Sequence, residues 1–165
     1  MSFKPLFEST RSRLREGSAP NPITVAVESE NQGGFRSVVR LRDFTLTIDQ
    51  PKGFGGTNQG PKPSEVLLAA LAACQEITWR LYADALGISL DGIRVELSGV
   101  QDLRGFLGVD DRTRPGFQHI TGTVVIDSPA PDREIERLKH VVDRHCPVLD
   151  DLLQPTPVEL AWRRA

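Results

Sequence analysis

The sequence lacks the features that mark several large classes of protein. Only two of its 165 residues are cysteines, too few for the disulfide framework of a small secreted domain, and the N-terminus has no apolar core of a signal peptide. A net charge of −2 provides no general attraction for nucleic acid. No apolar run reaches the roughly 20 residues that a membrane span requires. We therefore expect a cytoplasmic protein with no nucleic-acid partner and no membrane contact.

The glycine-rich loop between Pro51 and Pro63 lacks the motifs of a phosphate cradle. It contains four glycines and three prolines, but it has neither a Gly-Lys-Ser/Thr at its end nor a spaced G-x-G-x-x-G. Pro63 suits the first turn of a helix, and Glu65 lies where the positive end of a helix dipole favours an acid. We therefore interpret the loop as a tight entry to a helix.

The chain does contain alternating segments that are typical of strands. Its length allows one domain with a core but not two ordinary ones. Residues 21–165 are expected to form that domain, behind an extension, residues 1–20, that favours a short amphipathic helix. Turn residues between the first three segments predict an antiparallel meander. The predicted strands are Ile23–Glu30, Arg36–Arg42, Phe44–Asp49, Gly92–Gly99, Phe117–Asp127 and Thr156–Trp162, the last of which closes the sheet.

Two helices are predicted among these strands. The first follows the glycine-rich loop and ends at Gly87. Residues Val66 to Cys74 within it are all apolar, so we expect this half to be buried on every side. The second helix opens at Pro131 and carries one apolar stripe, as a helix packed on one side does. Because helix is disfavoured before proline, Cys146 is expected at a break before Pro147, in an N-cap-like position.

Cys74 is compatible with core packing and with catalysis. It lies about ten residues into its helix, roughly 15 Å from the start, whereas the effect of the helix dipole fades within the first turn. At a free pKa near 8.5, only about 3% of thiols are ionised at neutral pH, so a nucleophilic Cys74 needs a cation from elsewhere in the fold. The residues on its helical face, a stripe that is typical of core packing, are Leu67, Leu71, Ile77, Thr78 and Leu81.

An arginine is the cation best suited to this task. Its guanidinium stays charged when partly buried and presents several donors to a thiolate. The candidates are Arg36, Arg40 and Arg42 on the predicted early strands, whereas Arg80 lies on the wrong side of the cysteine helix.

A metal site is the alternative use of the cysteines. A zinc site would need both cysteines and two of the three histidines, yet no C-x-x-C pair supports it. We therefore predict no metal. The histidines in question are His119, His140 and His145.

Two segments carry a resemblance to a known family. The run GGTNQGPKPSEVLLAALAAC and the later HCPV resemble the OsmC/Ohr family of osmotically inducible and organic-hydroperoxide-resistance proteins. The likeness extends over residues 23–162 and includes the order of the predicted elements. It implies an α+β fold, in which antiparallel sheets wrap around two long helices of an intertwined homodimer. It also implies that Cys74 attacks a hydroperoxide and Cys146 resolves the product at the subunit interface, without a cofactor.

One position departs from the pattern of the family's peroxidases. Those proteins pair an arginine with a glutamate in the first turn of the cysteine helix. Counting back from Cys74, that position is Ser64 here, and Glu65 is rotated from it by about 100°. Because Ser cannot pair with Arg as an anion does, the chain resembles a more general OsmC-like branch. Arg42 and Arg36 are the arginines that we predict at the site.

The resemblance predicts a thiol-dependent peroxidase that reduces small organic hydroperoxides in oxidative stress defence. The sulfenate of Cys74 would condense with Cys146, and an external dithiol would reduce the disulfide. Two alternatives stay open. The first is a non-catalytic OsmC-like dimer that binds a small hydrophobic or thiol ligand in the interface cleft, and the second is a structural domain with buried cysteines.

Overall fold

The computed structural model describes residues 2–164, which divide into two compact units. Each unit is discontinuous in sequence. The first consists of residues 2–70 and 97–122, and the second of residues 71–96 and 123–164. None of the helices in this part of the chain combines the length and the hydropathy of a membrane span.

The first unit contains a three-stranded antiparallel sheet in the order β1 (Glu28–Asn31), β2 (Ser37–Leu41) and β3 (Phe44–Ile48). The predicted meander is confirmed. Its first strand, however, starts at Glu28 and not at Ile23, and residues 22–27 form no strand. Alternation selects the two faces of a segment, but a strand also needs a neighbouring backbone to bond.

The N-terminal extension is helical, as predicted. Helix α1 spans Lys4–Arg15 and has no buried residue. Its helical order therefore comes without a core of its own.

The glycine-rich loop follows β3 and begins with a 3-10 turn, Lys52–Phe54. Gly56 and Gly60 are needed here because backbone approaches them closely. A Cβ on Gly56 would overlap the carbonyl of Gln50, and one on Gly60 would overlap that of Thr47. The loop is therefore a packed structure against the end of β3.

Helix α2 (Pro63–Leu86) starts at the predicted proline. Glu65 accepts a hydrogen bond from the backbone N–H of Lys62 at 3.0 Å, which is the capping-box arrangement at a helix start. At the other end Gly87 has φ 72°. There the N–H groups of Gly87 and Ile88 donate to the last turn of the helix, as in a glycine-capped helix end.

The expectation that the half of α2 from Val66 to Cys74 is buried on every side is wrong for the single chain. Leu67 is 39% exposed, and Ala69, Ala70 and Ala73 are exposed as well. Only one face of the helix is covered, since a single chain supplies neighbours for one side. The buried residues of α2 are Leu71, Gln75, Thr78, Trp79 and Ala83.

Strands β4 (Gly92–Gln101) and β5 (Phe117–Asp127) form a second sheet. The backbone N–H of Asp91 donates to Asp127, and Ser98 hydrogen-bonds Thr121, so the two strands are antiparallel. The predicted bounds of β5 are confirmed. The connection between the strands includes a short helix, α3 (Leu103–Phe106).

The second unit contains the main buried core. Helix α4 (Asp132–His145) contributes its apolar stripe, as predicted, and α5 (Pro147–Leu153) follows after Cys146. Cys146 is the C-cap of α4 and the N-cap of α5, which confirms the predicted break. The core residues are Trp79, Ala83, Ile88, Leu90, Leu138 and Val142.

The last predicted strand, Thr156–Trp162, is wrong. Residues 155–164 have no regular secondary structure, and Val158, Leu160 and Trp162 are exposed. The alternating apolar residues are present, but no strand of the described chain bonds this segment. A sheet therefore does not close here.

Candidate functional site

The two cysteines meet within the second unit. Cys74 lies near the middle of α2 and Cys146 at the junction of α4 and α5. The thiol of Cys146 donates to the sulfur of Cys74 at an S–S distance of 3.3 Å. Both cysteines are free thiols, with Cys74 half-buried and Cys146 fully buried. A disulfide bond is about 2 Å long, so only a small approach of the sulfurs separates the thiol pair from a disulfide.

The surroundings of Cys146 hold it in the protonated form. Burial raises the pKa of its thiol, because the thiolate would lose its hydration. The backbone N–H of Leu149 opposes this rise, the neighbouring Cys74 adds to it, and the side chain of Thr78 opposes it. Cys146 is therefore the proton donor of the pair and Cys74 the acceptor.

Thr78 is the third member of this cluster. It lies one turn after Cys74 on α2, so the two side chains share a helix face. Its hydroxyl donates to the carbonyl oxygen of Cys74 at 2.7 Å, and its side chain is buried. We refer to Cys74, Thr78 and Cys146 as the thiol cluster.

Both arginines of the predicted site lie in the first unit. Arg36 comes just before β2, is half-buried, and donates to the side-chain oxygen of Gln59 at 2.8 Å. Arg42 occupies the β2–β3 turn with φ 55°, and its guanidinium lies over the ring of Phe44. Of the two, Arg36 is the one held by the glycine-rich loop.

A buried carboxylate organises that loop. Asp49 is 1% exposed and accepts bonds from the Thr57 hydroxyl at 2.5 Å and from the backbone N–H groups of Thr57, Gln59 and Gln50. The Thr57 hydroxyl and these N–H groups, against the effect of burial, lower the pKa of Asp49 to about 2. The ionised carboxylate thereby fixes Gln59, which in turn holds the Arg36 side chain.

The first turn of α2 contains one acid, Glu65, which is exposed and accepts a hydrogen bond from the backbone N–H of Lys62. The position at which the resemblance implies an acid is Ser64. Ser64 instead lines a cavity of about 300 Å³ in the first unit. Aromatic and proline side chains form most of its apolar wall: Pro51, Phe54, Pro63, Phe106 and Pro115.

A metal centre has no support in the geometry. No group of three or more His, Cys, Asp or Glu side chains lies close enough to hold an ion among residues 2–164. His145 bonds the carbonyl of Val141 through Nδ1 and stacks near Tyr82. It is therefore engaged on its own helix.

The sequence alone did not predict a role for three residues near these groups, Thr78, Asp49 and Gln59. Thr78 had a signal, since its spacing from Cys74 places it on the same helix face. Asp49 and Gln59 had none, because their contacts join the end of a strand to a loop eight and ten residues further on.

The chain is similar to proteins of one family. A family model described as OsmC-like protein matches residues 56–161. No curated protein sequence matches the chain.

Solved structures share its fold. An OsmC-like protein from Mycoplasma pneumoniae is 24% identical with a TM-score of 0.71, covering 81% of this chain and 90% of that one. The organic hydroperoxide resistance protein OsmC from Legionella pneumophila is 20% identical, with a TM-score of 0.62 and coverage of 81% and 91%. OhrB of Bacillus subtilis is 23% identical, with a TM-score of 0.51 and coverage of 78% and 89%. At these identities the likeness shows the fold.

Proposed function

Because the chain belongs to the OsmC-like protein family, we propose that it is a thiol-dependent peroxidase that reduces small organic hydroperoxides in oxidative stress defence. The observation that carries the proposal is the 3.3 Å separation of the sulfurs of Cys74 and Cys146. Two free thiols at this distance, one half-buried and one buried, suit a nucleophile and its resolving partner.

The first step oxidises Cys74. Its thiolate attacks the outer oxygen of the hydroperoxide, the O–O bond breaks, and the alkoxide takes a proton to leave as an alcohol. Cys74 is then a sulfenic acid.

The second step joins the two cysteines. The sulfur of Cys146 attacks the sulfur of Cys74, the S–O bond breaks, and hydroxide takes the Cys146 proton to leave as water. An external dithiol reduces the disulfide by exchange and returns both thiols. The cycle uses no metal and no organic cofactor.

An arginine is proposed to orient the peroxide. Arg36 is better supported than Arg42, because Gln59 holds its guanidinium while Arg42 covers an aromatic ring in a turn. The partner Gln59 is neutral, so this hydrogen bond does not pair the guanidinium of Arg36 with an acid. Arg36→Lys, with Arg42→Lys as the matched control, separates the two candidates by the rate of peroxide consumption.

A homodimer is part of the proposal. Exposed apolar side chains along α2, such as Leu67 and Ile77, are supporting features, as are the exposed alternating segments at residues 23–27 and 158–162. A second copy that covers them would bury surface that water otherwise contacts. Light scattering on the purified protein measures the mass of the particle, and a monomer at micromolar concentration would count against the dimer.

The direct test of the reaction is an intact mass after one equivalent of cumene hydroperoxide. The reduced protein is expected to lose two hydrogens when both cysteines are present. Cys146→Ser is expected to stop at the sulfenic acid, trapped by dimedone, whereas Cys74→Ser is expected to keep its mass. If the Cys74→Ser variant consumes peroxide as fast as the parent, the peroxidase proposal is wrong.

A second candidate function is the binding of a small hydrophobic ligand without catalysis. It is favoured by the apolar cavity of about 300 Å³ in the first unit, which Ser64 lines. Under this alternative, Cys74 reacts with an alkylating agent no faster than a free thiol. An apolar dye that binds with micromolar affinity to a protein inert towards peroxide would support it.

A further inference from the structure

Thr78 makes a hydrogen bond that the helix does not need. Its hydroxyl donates to the carbonyl oxygen of Cys74 at 2.7 Å. In an α-helix the same carbonyl accepts the backbone N–H of the residue four positions later, which is Thr78 itself. The Cys74 carbonyl is therefore satisfied by the backbone alone, and the hydroxyl can leave it without creating an unpaired group.

Cys146 is the group that a nearby hydroxyl donor would help to ionise. It is fully buried and touches the sulfur of Cys74. To attack Cys74 it must become a thiolate, and a buried thiolate requires hydrogen-bond donors because it has lost water. Thr78 lies one turn after Cys74 on the same face of α2. Its side chain, like the backbone N–H of Leu149, opposes the rise that burial causes in the pKa of Cys146.

We propose that Thr78 is a positioning residue for disulfide closure: its hydroxyl turns from the Cys74 carbonyl to the Cys146 sulfur as that sulfur loses its proton. The inference rests on the proposed two-cysteine function. It assigns the help to the second step, in which Cys146 attacks, and none to the first, in which Cys74 meets the oxidant.

The chemistry of the step balances without a further reactant. The sulfur of Cys146 gives its electron pair to the sulfur of Cys74, and the group on Cys74 leaves with the electrons of the bond that breaks. The proton of Cys146 passes to that leaving group or to water. Thr78 changes its acceptor and keeps its own proton.

The test loads Cys74 with a leaving group that needs no peroxide. The reduced protein is treated with dithiobis(nitrobenzoate), which forms a mixed disulfide with Cys74 and releases one coloured thiolate. The attack of Cys146 then releases the second, so the slow phase of colour measures closure. Thr78→Val removes the hydroxyl and keeps the shape, and Thr78→Ser restores a hydroxyl as the matched control.

Thr78→Val is expected to slow the second phase about tenfold, as the loss of a hydrogen bond to a charged group does. The first phase is expected to be unchanged, and Thr78→Ser to recover most of the closure rate. A role in packing alone would not distinguish serine from valine in this way, because serine is the smaller side chain. A Tm measured for each variant shows that both are folded.

Closure at the parent rate in Thr78→Val would overturn the inference, and so would a parent protein that releases no second thiolate. The peroxidase proposal is judged separately, by the sulfenic acid that cumene hydroperoxide produces in Cys146→Ser. A protein that closes the disulfide with help from Thr78 but ignores peroxide would contradict only the proposed function.

Discussion

Asp49 and Cys146 are two buried acids that the fold treats in opposite ways. Asp49 is 1% exposed and Cys146 0% exposed, and burial raises the pKa of both groups. The carboxylate accepts four hydrogen bonds, and its pKa falls to about 2. The thiol has weaker help, and its pKa rises. The number and strength of the donors therefore decide the charge of a buried group, and burial alone does not.

The difference also separates a fixed part of the molecule from a reactive one. An ionised carboxylate that accepts four hydrogen bonds holds a loop in place. A buried thiol that keeps its proton, 3.3 Å from a second sulfur, is a poised reactant. The hydrogen-bonded carboxylate of Asp49 therefore stabilises the loop, whereas the thiol of Cys146 becomes charged only when it reacts.

The largest loss of stability is expected from a substitution that displaces the glycine-rich loop from the carboxylate of Asp49. Gly56→Ala would place a Cβ against the carbonyl of Gln50, whose backbone N–H donates to Asp49. Because backbone cannot yield as a flexible side chain does, the free energy of unfolding is expected to fall by about 3 kcal/mol. Urea denaturation measures the change.

Gly53→Ala is the matched control in the same loop. Nothing lies within 4 Å of a Cβ at Gly53, so its effect is expected to stay within about 0.5 kcal/mol. Equal losses for the two variants would show that the loop is not packed as described.

Removing the charge of Asp49 is expected to have the next largest effect. The folded protein lowers the pKa of this carboxyl from 3.8 to about 2, so its contribution is fully present above pH 3.8 and is lost as the pH falls to about 2. Asp49→Asn is expected to lower the Tm at pH 7 by several degrees and to flatten the acid side of the stability curve. Thermal denaturation between pH 2 and pH 7 measures both. An acid side as steep as that of the parent would contradict the assignment.

Cys146 is expected to make stability fall as the pH rises, the opposite of Asp49, and to contribute less to it. A thiol whose pKa is raised above its ordinary value of 9.0 contributes stability below that pH, which is lost as the pH rises further. Cys146→Ala is expected to flatten the alkaline side and to cost about 1 kcal/mol at neutral pH because it leaves a small void. The measurement requires a reductant, so that both parent thiols stay free. If the alkaline side of the stability curve is the same in Cys146→Ala and in the parent, the raised pKa of Cys146 does not affect stability.

Removing the partner of a carboxylate at the surface is expected to change the stability least. Asp143 pairs with Lys139 one turn earlier on α4, and both are exposed. Lys139→Ala is expected to change the free energy of unfolding by less than about 0.5 kcal/mol, because an exposed i,i+4 pair contributes little. If Lys139→Ala lost as much stability as Asp49→Asn, the hydrogen-bond donors of an exposed carboxylate would contribute as much as those of a buried one.

The parts of the fold that the sequence predicted are those with local causes. Pro63 and Gly87 determine the ends of α2 through their own backbone preferences. The alternation in Phe117–Asp127 gives a strand with the predicted bounds. Each of these signals is contained in the segment that it describes.

The parts that failed depend on partners outside the segment. Residues 23–27 and 156–162 alternate like strands, yet neither is paired in the described chain. A pattern of period two predicts which side chains share a face but not which backbone will bond the strand. The apolar run Val66–Cys74 failed for the same reason, since composition cannot state how many sides of a helix are covered.

The candidate site shows the same division. The residues of the two segments identified the family, and with it the roles that stay predictions for Cys74, Cys146, Arg36 and Arg42. The approach of the two sulfurs joins segments far apart in the chain, and spacing alone cannot supply a distance. Asp49 carries no pattern at all, because a single carboxylate becomes informative only when its donors are known.

The core position of Trp79 makes the protein its own optical probe. The chain has two tryptophans. Trp79 is 2% exposed on α2, next to Thr78, whereas Trp162 is 85% exposed. Indole emission shifts to longer wavelength in water, so unfolding will move the fluorescence of Trp79 and leave that of Trp162 almost where it was. A Trp162→Phe variant would then report, without any label, on the helix that carries the thiol cluster.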